Sequence, residues 1–170
     1  MITKPDITTI PDYFVYYTGL VQQNNLVEAL AKNYGTNLEL FASIPVEKEN
    51  FAYAPGKWTV KQVLSHLIDT ERVFSYRALR FSRRDSTDLP GYDENLFADN
   101  SNTENMMLER LMEEYRCVRK STLSLFEAMN DEMLDFRGTA NQMECSARSL
   151  GFMIAGHEIH HCNVLKQRYL

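Results

Sequence analysis

The stretch Trp58-Thr59-Val60-Lys61-Gln62-Val63-Leu64-Ser65-His66-Leu67-Ile68-Asp69-Thr70-Glu71-Arg72 decides how this chain folds. Val60, Val63, Leu64 and Leu67, continued by Phe74 and Ala78, recur at three- and four-residue intervals and so mark one apolar face of a helix. Thr59 suits the N-cap, where its hydroxyl accepts a bond from a free amide of the first turn. The spacing predicts a helix from there to about Arg84. With His66 set at 0°, the apolar face centres near 100°, and Thr70, Val73 and Arg77 fall at about 40°, −20° and 20°. His66 thus heads a partly polar strip on the flank of an apolar helix, suited to the wall of a cleft. By itself it reads equally as a ligand or as a hydrogen-bonded histidine at the edge of the core.

Upstream, Leu26, Leu30, Tyr34, Leu38 and Phe41 give a second helical face, from Asn24 to just before Pro45, because a residue preceding proline is pushed out of the α region. Residues 45–57, with Pro55-Gly56, read as a loop. The aromatic-rich run Asp12 to Val21 predicts a short helix laid across something larger. Downstream, residues 85–102 carry turn residues throughout and no sustained period; connections of this length are often functional. Thr103 opens a third long helix, whose apolar set begins with Met107, Leu108, Leu111 and Met112 and which ends near Met129-Asn130-Asp131. The methionines, Met106, Met107 and Met112 among them, are expected as bundle filling. A second connection through Gly138-Thr139-Ala140-Asn141 leads to a last helix over Ser146 to Leu170. The expected fold is all-α: a four-helix bundle with a long crossover connection, one domain over residues 1–170, with 1–22 a lead-in segment packing on the bundle.

Composition narrows the function classes. The 170 residues are 44% hydrophobic, which excludes disorder, and Asp plus Glu outnumber Lys plus Arg by 23 to 18, a net charge of −5 that argues against a general nucleic-acid binder. The one basic run, Arg77-Ala-Leu-Arg80-Phe-Ser-Arg83-Arg84, suits the C-terminus of a helix, where cations oppose the dipole, over a phosphate patch. Three cysteines (Cys117, Cys145 and Cys162) with no CxxC predict neither a disulfide framework nor a thiolate zinc site. No signal peptide is expected from the opening residues and no run approaches a membrane span, so the expectation is a cytoplasmic protein with no nucleic-acid or membrane partner.

Three of the four histidines fall in Gly156-His157-Glu158-Ile159-His160-His161. With His157 at 0°, His161 lies at about 40°, within the stripe formed by Leu150, Met153, Ile154 and Val164; His160 lies at its edge and Glu158 faces away at about 100°. An i,i+4 histidine pair on one face can reach one metal ion, and two buried imidazoles need some partner: a divalent cation, or hydrogen bonds to a neighbouring helix. The segment also matches HExxH formally, which would make Glu158 the base of a zincin-type hydrolase; no strand-rich half accompanies it, and this is the lesser reading.

The run Tyr53 to Arg72, the loop Leu89-Pro90-Gly91-Tyr92-Asp93-Glu94-Asn95 and the ending Ile154 to Leu170 together resemble the DinB/YfiT-like superfamily, over nearly the whole length from about Leu26. The resemblance implies a four-helix bundle that binds a divalent metal through three histidines, matching His66, His157 and His161; His160 is not a ligand position. It also implies a metal-dependent enzyme that activates a thiol or water for transfer (thiol S-transferase type) or hydrolysis on a small-molecule substrate, with a stress-related binding module as the alternative. A low-molecular-weight thiol is a cofactor among some relatives, and a homodimer is expected. Three imidazoles leave one position open on the ion and suit zinc, nickel or another first-row transition metal. Arg77, Tyr92 and Asp93 are pocket candidates: Arg77 as an anion clamp, or else paired with an Asp or Glu of a neighbouring helix, and Tyr92 and Asp93 as crossover residues folded over the metal, or else solvated loop residues. Trp58 reads as a core anchor, and Cys162 as a small packed residue.

Overall fold

The computed structural model describes all 170 residues. Its elements in chain order are α1 (Asp12–Leu20), α2 (Leu26–Ala42), α3 (Val60–Ser82), α4 (Glu94–Asp99), α5 (Leu108–Glu127), α6 (Asp131–Asp135), the strands β1 (Arg137–Ala140) and β2 (Met143–Ser146), and α7 (Ala147–Arg168). Thr59 caps α3 as its position predicts: its hydroxyl accepts the Gln62 amide at 3.2 Å, while Gln62 Oε1 accepts the Thr59 amide at 2.9 Å. Ser146 and Ser149 make the same reciprocal cap at the start of α7. The two helices that carry the site histidines therefore begin at chemically fixed points.

The long helices α2, α3, α5 and α7 form a four-helix bundle. α3 packs on α5 and α7, and α2 packs on the same two, so α2 faces α3 across one diagonal and α5 faces α7 across the other. Two apolar clusters give the directions. One gathers Leu26 and Leu30 of α2, Phe74 and Phe81 of α3, Phe126 of α5 and Leu150 and Phe152 of α7. The other gathers Phe41, Val63 and Leu64, Leu108 and Leu111, and Leu165 from the opposite ends of the same helices. Hence α3 and α5 run parallel, and the chain between them must return the length of the bundle. Residues 83–107 are that crossover.

A buried ionic layer separates the clusters. Arg119 of α5, with no exposed surface, donates from Nε and Nη2 to the two Glu71 oxygens of α3 at 2.9 and 2.8 Å, from Nη2 to Glu158 of α7 at 2.8 Å, and from Nη1 to the Leu30 carbonyl of α2 at 2.8 Å. One side chain thus touches all four helices of the bundle. The Tyr115 hydroxyl donates to the same Glu158 oxygen. Burial pushes the Glu158 carboxyl above its ordinary range, while Arg119 pulls it down.

The structure departs from the sequence expectations in four places. The crossover holds α4, capped by Asp93, whose carboxylate accepts the Asn95 and Leu96 amides at 2.9 and 3.0 Å. The second connection holds α6 and an antiparallel hairpin in which Thr139 pairs with Glu144. Its turn residues, Asn141 and Gln142, have φ of 51° and 62°, and the second position lacks the glycine that usually advertises such a turn. The third long helix begins at Leu108 after a 3-10 turn at Thr103–Asn105, which leaves Met107 74% exposed; Met112 is buried as expected. Last, Glu158 is not on a solvated face: it lies on the side of α7 turned to the bundle interior, where Tyr115 and Arg119 of α5 meet its carboxylate, and α1 covers a different side, so α7 is buried from Ala147 to Glu158. Gly156 permits that cover, since a Cβ there would stand inside hard-sphere contact with the Tyr17 carbonyl.

Candidate metal centre

His66 leaves the middle of α3, and His157 and His161 leave successive turns of α7. Their Nε2 atoms converge: His66 to His157 is 3.0 Å, His157 to His161 is 3.1 Å, and all three lie within 4.8 Å of one another. His66 and His157 are buried and His161 is half-buried. Burial lowers His66 to about 4 and His161 to about 3, and takes His157 well below its ordinary value, so the rings are neutral near pH 7 and carry lone pairs.

Hydrogen bonding within the trio does not satisfy it. His157 Nε2 is met by two other Nε2 atoms, and a ring nitrogen offers one proton or one lone pair. A divalent ion serves all three at once: with Zn–N bonds of ~2.0–2.1 Å, tetrahedral ligands stand roughly 3.4 Å apart, close to the spacings of 3.0 and 3.1 Å that His157 makes with His66 and His161. No other His, Cys, Asp or Glu joins the group. The residues fit a three-histidine site for a first-row transition ion.

The surroundings seal the trio on two sides. Trp58, expected as a core anchor, lies against His66 with ring centres 4.5 Å apart and stacks over His161 at 6.2 Å. Tyr17 of α1 covers His157 at 5.6 Å. His160 stays outside the trio, its Nδ1 3.1 Å from the Tyr16 hydroxyl. Neither Trp58 nor Tyr17 was legible as a site residue; the only signal was the aromatic run in the lead-in.

From the trio a cleft of about 580 Å³ extends along α3 through His66, Thr70 and Arg77 of the strip that the helical period drew, with Phe74 of the apolar face lining it in place of Val73. The hairpin supplies Asn141, Met143 and Cys145, and the crossover supplies Tyr92, whose hydroxyl is 2.8 Å from Thr70 Oγ1. Backbone bonds fix this part of the crossover: the Leu89 amide donates to Thr139 at 2.9 Å and the Asn141 amide to Leu89 at 2.8 Å. Of the pocket candidates, Arg77 and Tyr92 line the cleft; Asp93 does not, its carboxylate being spent on the α4 cap. Arg77 makes no ion pair with a neighbouring helix, and donates instead to the Pro90 carbonyl at 2.8 Å. The rest of the basic run behaves as a helix end, with Arg80 paired to Asp85 and Arg84 to Glu132. Asp69 faces Arg72 at 3.6 Å and does not support His66. Cys162 is packed in the core.

A profile of the DinB superfamily matches residues 29–165, which include all three histidines and all but the ends of the four-helix bundle. The chain belongs to the DinB superfamily. Among solved structures, YfiT from Bacillus subtilis shares the fold with a TM-score of 0.69 at 16% sequence identity, over 96% of this chain and 90% of that one. That protein is described as "a probable metal-dependent hydrolase with an unusual four-helix bundle topology". At this identity the likeness is one of fold. No curated protein matches the chain.

Proposed function

We propose that His66, His157 and His161 hold a divalent transition-metal ion and that the protein is a metal-dependent enzyme acting on a small molecule, by thiol S-transfer or by hydrolysis. The observation that carries this reading is the convergence of three neutral imidazoles, without a fourth protein ligand, at a cleft large enough for a substrate. When bound, such an ion supplies Lewis acidity at its open position and brings a water or a thiol there towards ionisation at neutral pH. The chain's own part is to present three lone pairs, and to keep bulk water off them with Trp58 and Tyr17. Cys145 is the only cysteine that lines the cleft, and burial pushes its thiol up to about 11. The thiol in this proposal is a low-molecular-weight one, as the family resemblance implies. The proposal includes a homodimer, as the family resemblance implies, and a cytoplasmic setting; none of the helices is long and apolar enough to cross a membrane.

The zincin-type alternative needs Glu158 beside the metal, whereas its carboxylate points into the ionic layer. The test is elemental analysis of purified variants. His66→Ala, His157→Ala and His161→Ala are each expected to lose the ion, while His160→Ala and Glu158→Gln retain it. Retention of full stoichiometry by His66→Ala would remove the proposed site.

A second reading, a binding module with a structural metal, is separated by chelation. Because two apolar clusters hold the bundle, the chelated protein is expected to keep its helical circular-dichroism signal at 25 °C and to lose turnover. Unfolding on chelation favours the module.

A further inference from the structure

Three arginines are buried: Arg77, Arg119 and Arg148, with 6%, 0% and 9% exposure. Arg119 is neutralised by Glu71 and Glu158, and Arg148 by Asp131 and Asp135. The buried ammonium of Lys61 is spent on the Glu104 and Met106 carbonyls. Arg77 differs from all of these. It has no counter-ion, its one hydrogen bond goes to the Pro90 carbonyl, and a guanidinium carries five N–H donors. A buried cation without an opposite charge is costly to keep, and this one lines the cleft.

The neighbours do not supply the missing charge. Burial raises both the Tyr92 phenol and the Cys145 thiol, so both stay protonated near pH 7. Glu94, the one carboxylate that lines the cleft, is exposed and makes no ion pair with Arg77. Arg77 is also the only Lys or Arg lining the cleft, which matches a single negative charge better than a phosphate dianion.

Position adds a length. Arg77 follows His66 by eleven residues on one helix, or roughly 16 Å along its axis at 1.5 Å per residue. Arginine side chains on a helix lean back towards its N-terminus, here towards the histidines. Between the two ends lie the Thr70–Tyr92 hydroxyl pair and the Phe74 ring, over which the Arg77 guanidinium carbon sits at 5.5 Å.

We propose that Arg77 anchors a carboxylate on the substrate, whose apolar or aromatic body crosses Phe74 and whose reacting group lies at the three histidines. The last clause rests on the metal-dependent reaction proposed above; the carboxylate anchor does not.

The test uses 4-phenylbutyrate and its neutral amide, titrated by ligand-observed NMR into the full chain at pH 7, as purified and after chelation. The acid is expected to bind at least ~10-fold more tightly than the amide in both samples, the scale of a charge-assisted pair. Arg77→Gln is expected to abolish that preference without changing amide affinity, and Arg77→Lys to keep part of it. Equal binding of acid and amide by the natural chain would overturn the proposal, as would a preference that survives Arg77→Gln. A preference lost on chelation alone would overturn it too, because the acid would then be sitting on the metal. Should Arg77→Gln fail to fold, the acid-against-amide comparison on the chelated natural chain still decides. Metal content keeps the readings apart: a chelated chain that takes up no added Zn²⁺ sinks the metal site, while an Arg77-dependent preference for the acid in that same sample still supports the anchor.

Discussion

Arg119→Ala is expected to lower stability by about 3–5 kcal/mol, the usual cost of removing one partner from a buried ion pair. The substitution would strand Glu71 and Glu158 at the centre of the bundle and delete the one side chain that reaches all four long helices. Glu158 is already strained for partners, since its second oxygen has none. Urea denaturation of the natural chain and the variant measures the loss. A loss below ~1 kcal/mol, the range of exposed ion pairs, would show that the layer does not clamp the four helices together. Linkage gives the sign with pH. Burial holds Glu158 above its ordinary value and Arg119 opposes that rise. Without Arg119 the folded carboxyl keeps a proton that the unfolded chain releases, so the deficit should grow as pH rises above the ordinary carboxylate range. Metal content is a second readout. Glu158 adjoins His157 on α7, and a layer that fixes the rotation of α7 also fixes where that imidazole points.

Gly156→Ala is expected to release α1 from the bundle. On an open helix surface, glycine to alanine gains up to ~1 kcal/mol, and Gly35, with nothing within 4 Å of its would-be Cβ, should show that gain. At Gly156 the added carbon meets backbone, the Tyr17 carbonyl, which cannot rotate away as a side chain can. Overpacking of this kind typically costs ~1–3 kcal/mol. Hydrogen exchange should quicken in residues 12–20 while the four long helices stay protected, and His157 should lose the cover of Tyr17. Unchanged protection over 12–20 would contradict the tight apposition of α1 and α7.

The long helices α2, α3 and α5 were legible because each buries a stripe with a three-and-four rhythm, and Thr59 and Ser146 mark the starts of α3 and α7. The same rhythm put His66 on a cleft wall and His157 with His161 on one face, which is where they lie. It misplaced Glu158, since it centred the buried stripe on the histidines, whereas the side of α7 turned to Tyr115 and Arg119 lies about 100° further round the helix, and α1 buries the histidine side as well. Trp58 precedes its helix, so no angular argument reached it. The hairpin escaped because Asn141-Gln142 lacks a glycine and its strands are only four residues each. The partner of Arg77 was expected on another helix; a main-chain carbonyl, set by how the crossover folds, has no signature in residue identity.

The histidines and the ionic layer sit on the long helices, whereas most of the cleft's other walls come from the crossover, the hairpin and the short first helix. Inheritance can act on these parts separately. A descendant could recombine or lengthen its walls, and so change which molecules it accepts, while the chemistry stays with an unaltered chassis. Grafting foreign crossover and hairpin segments onto this bundle is accordingly a route to new selectivities that starts from a scaffold already folded.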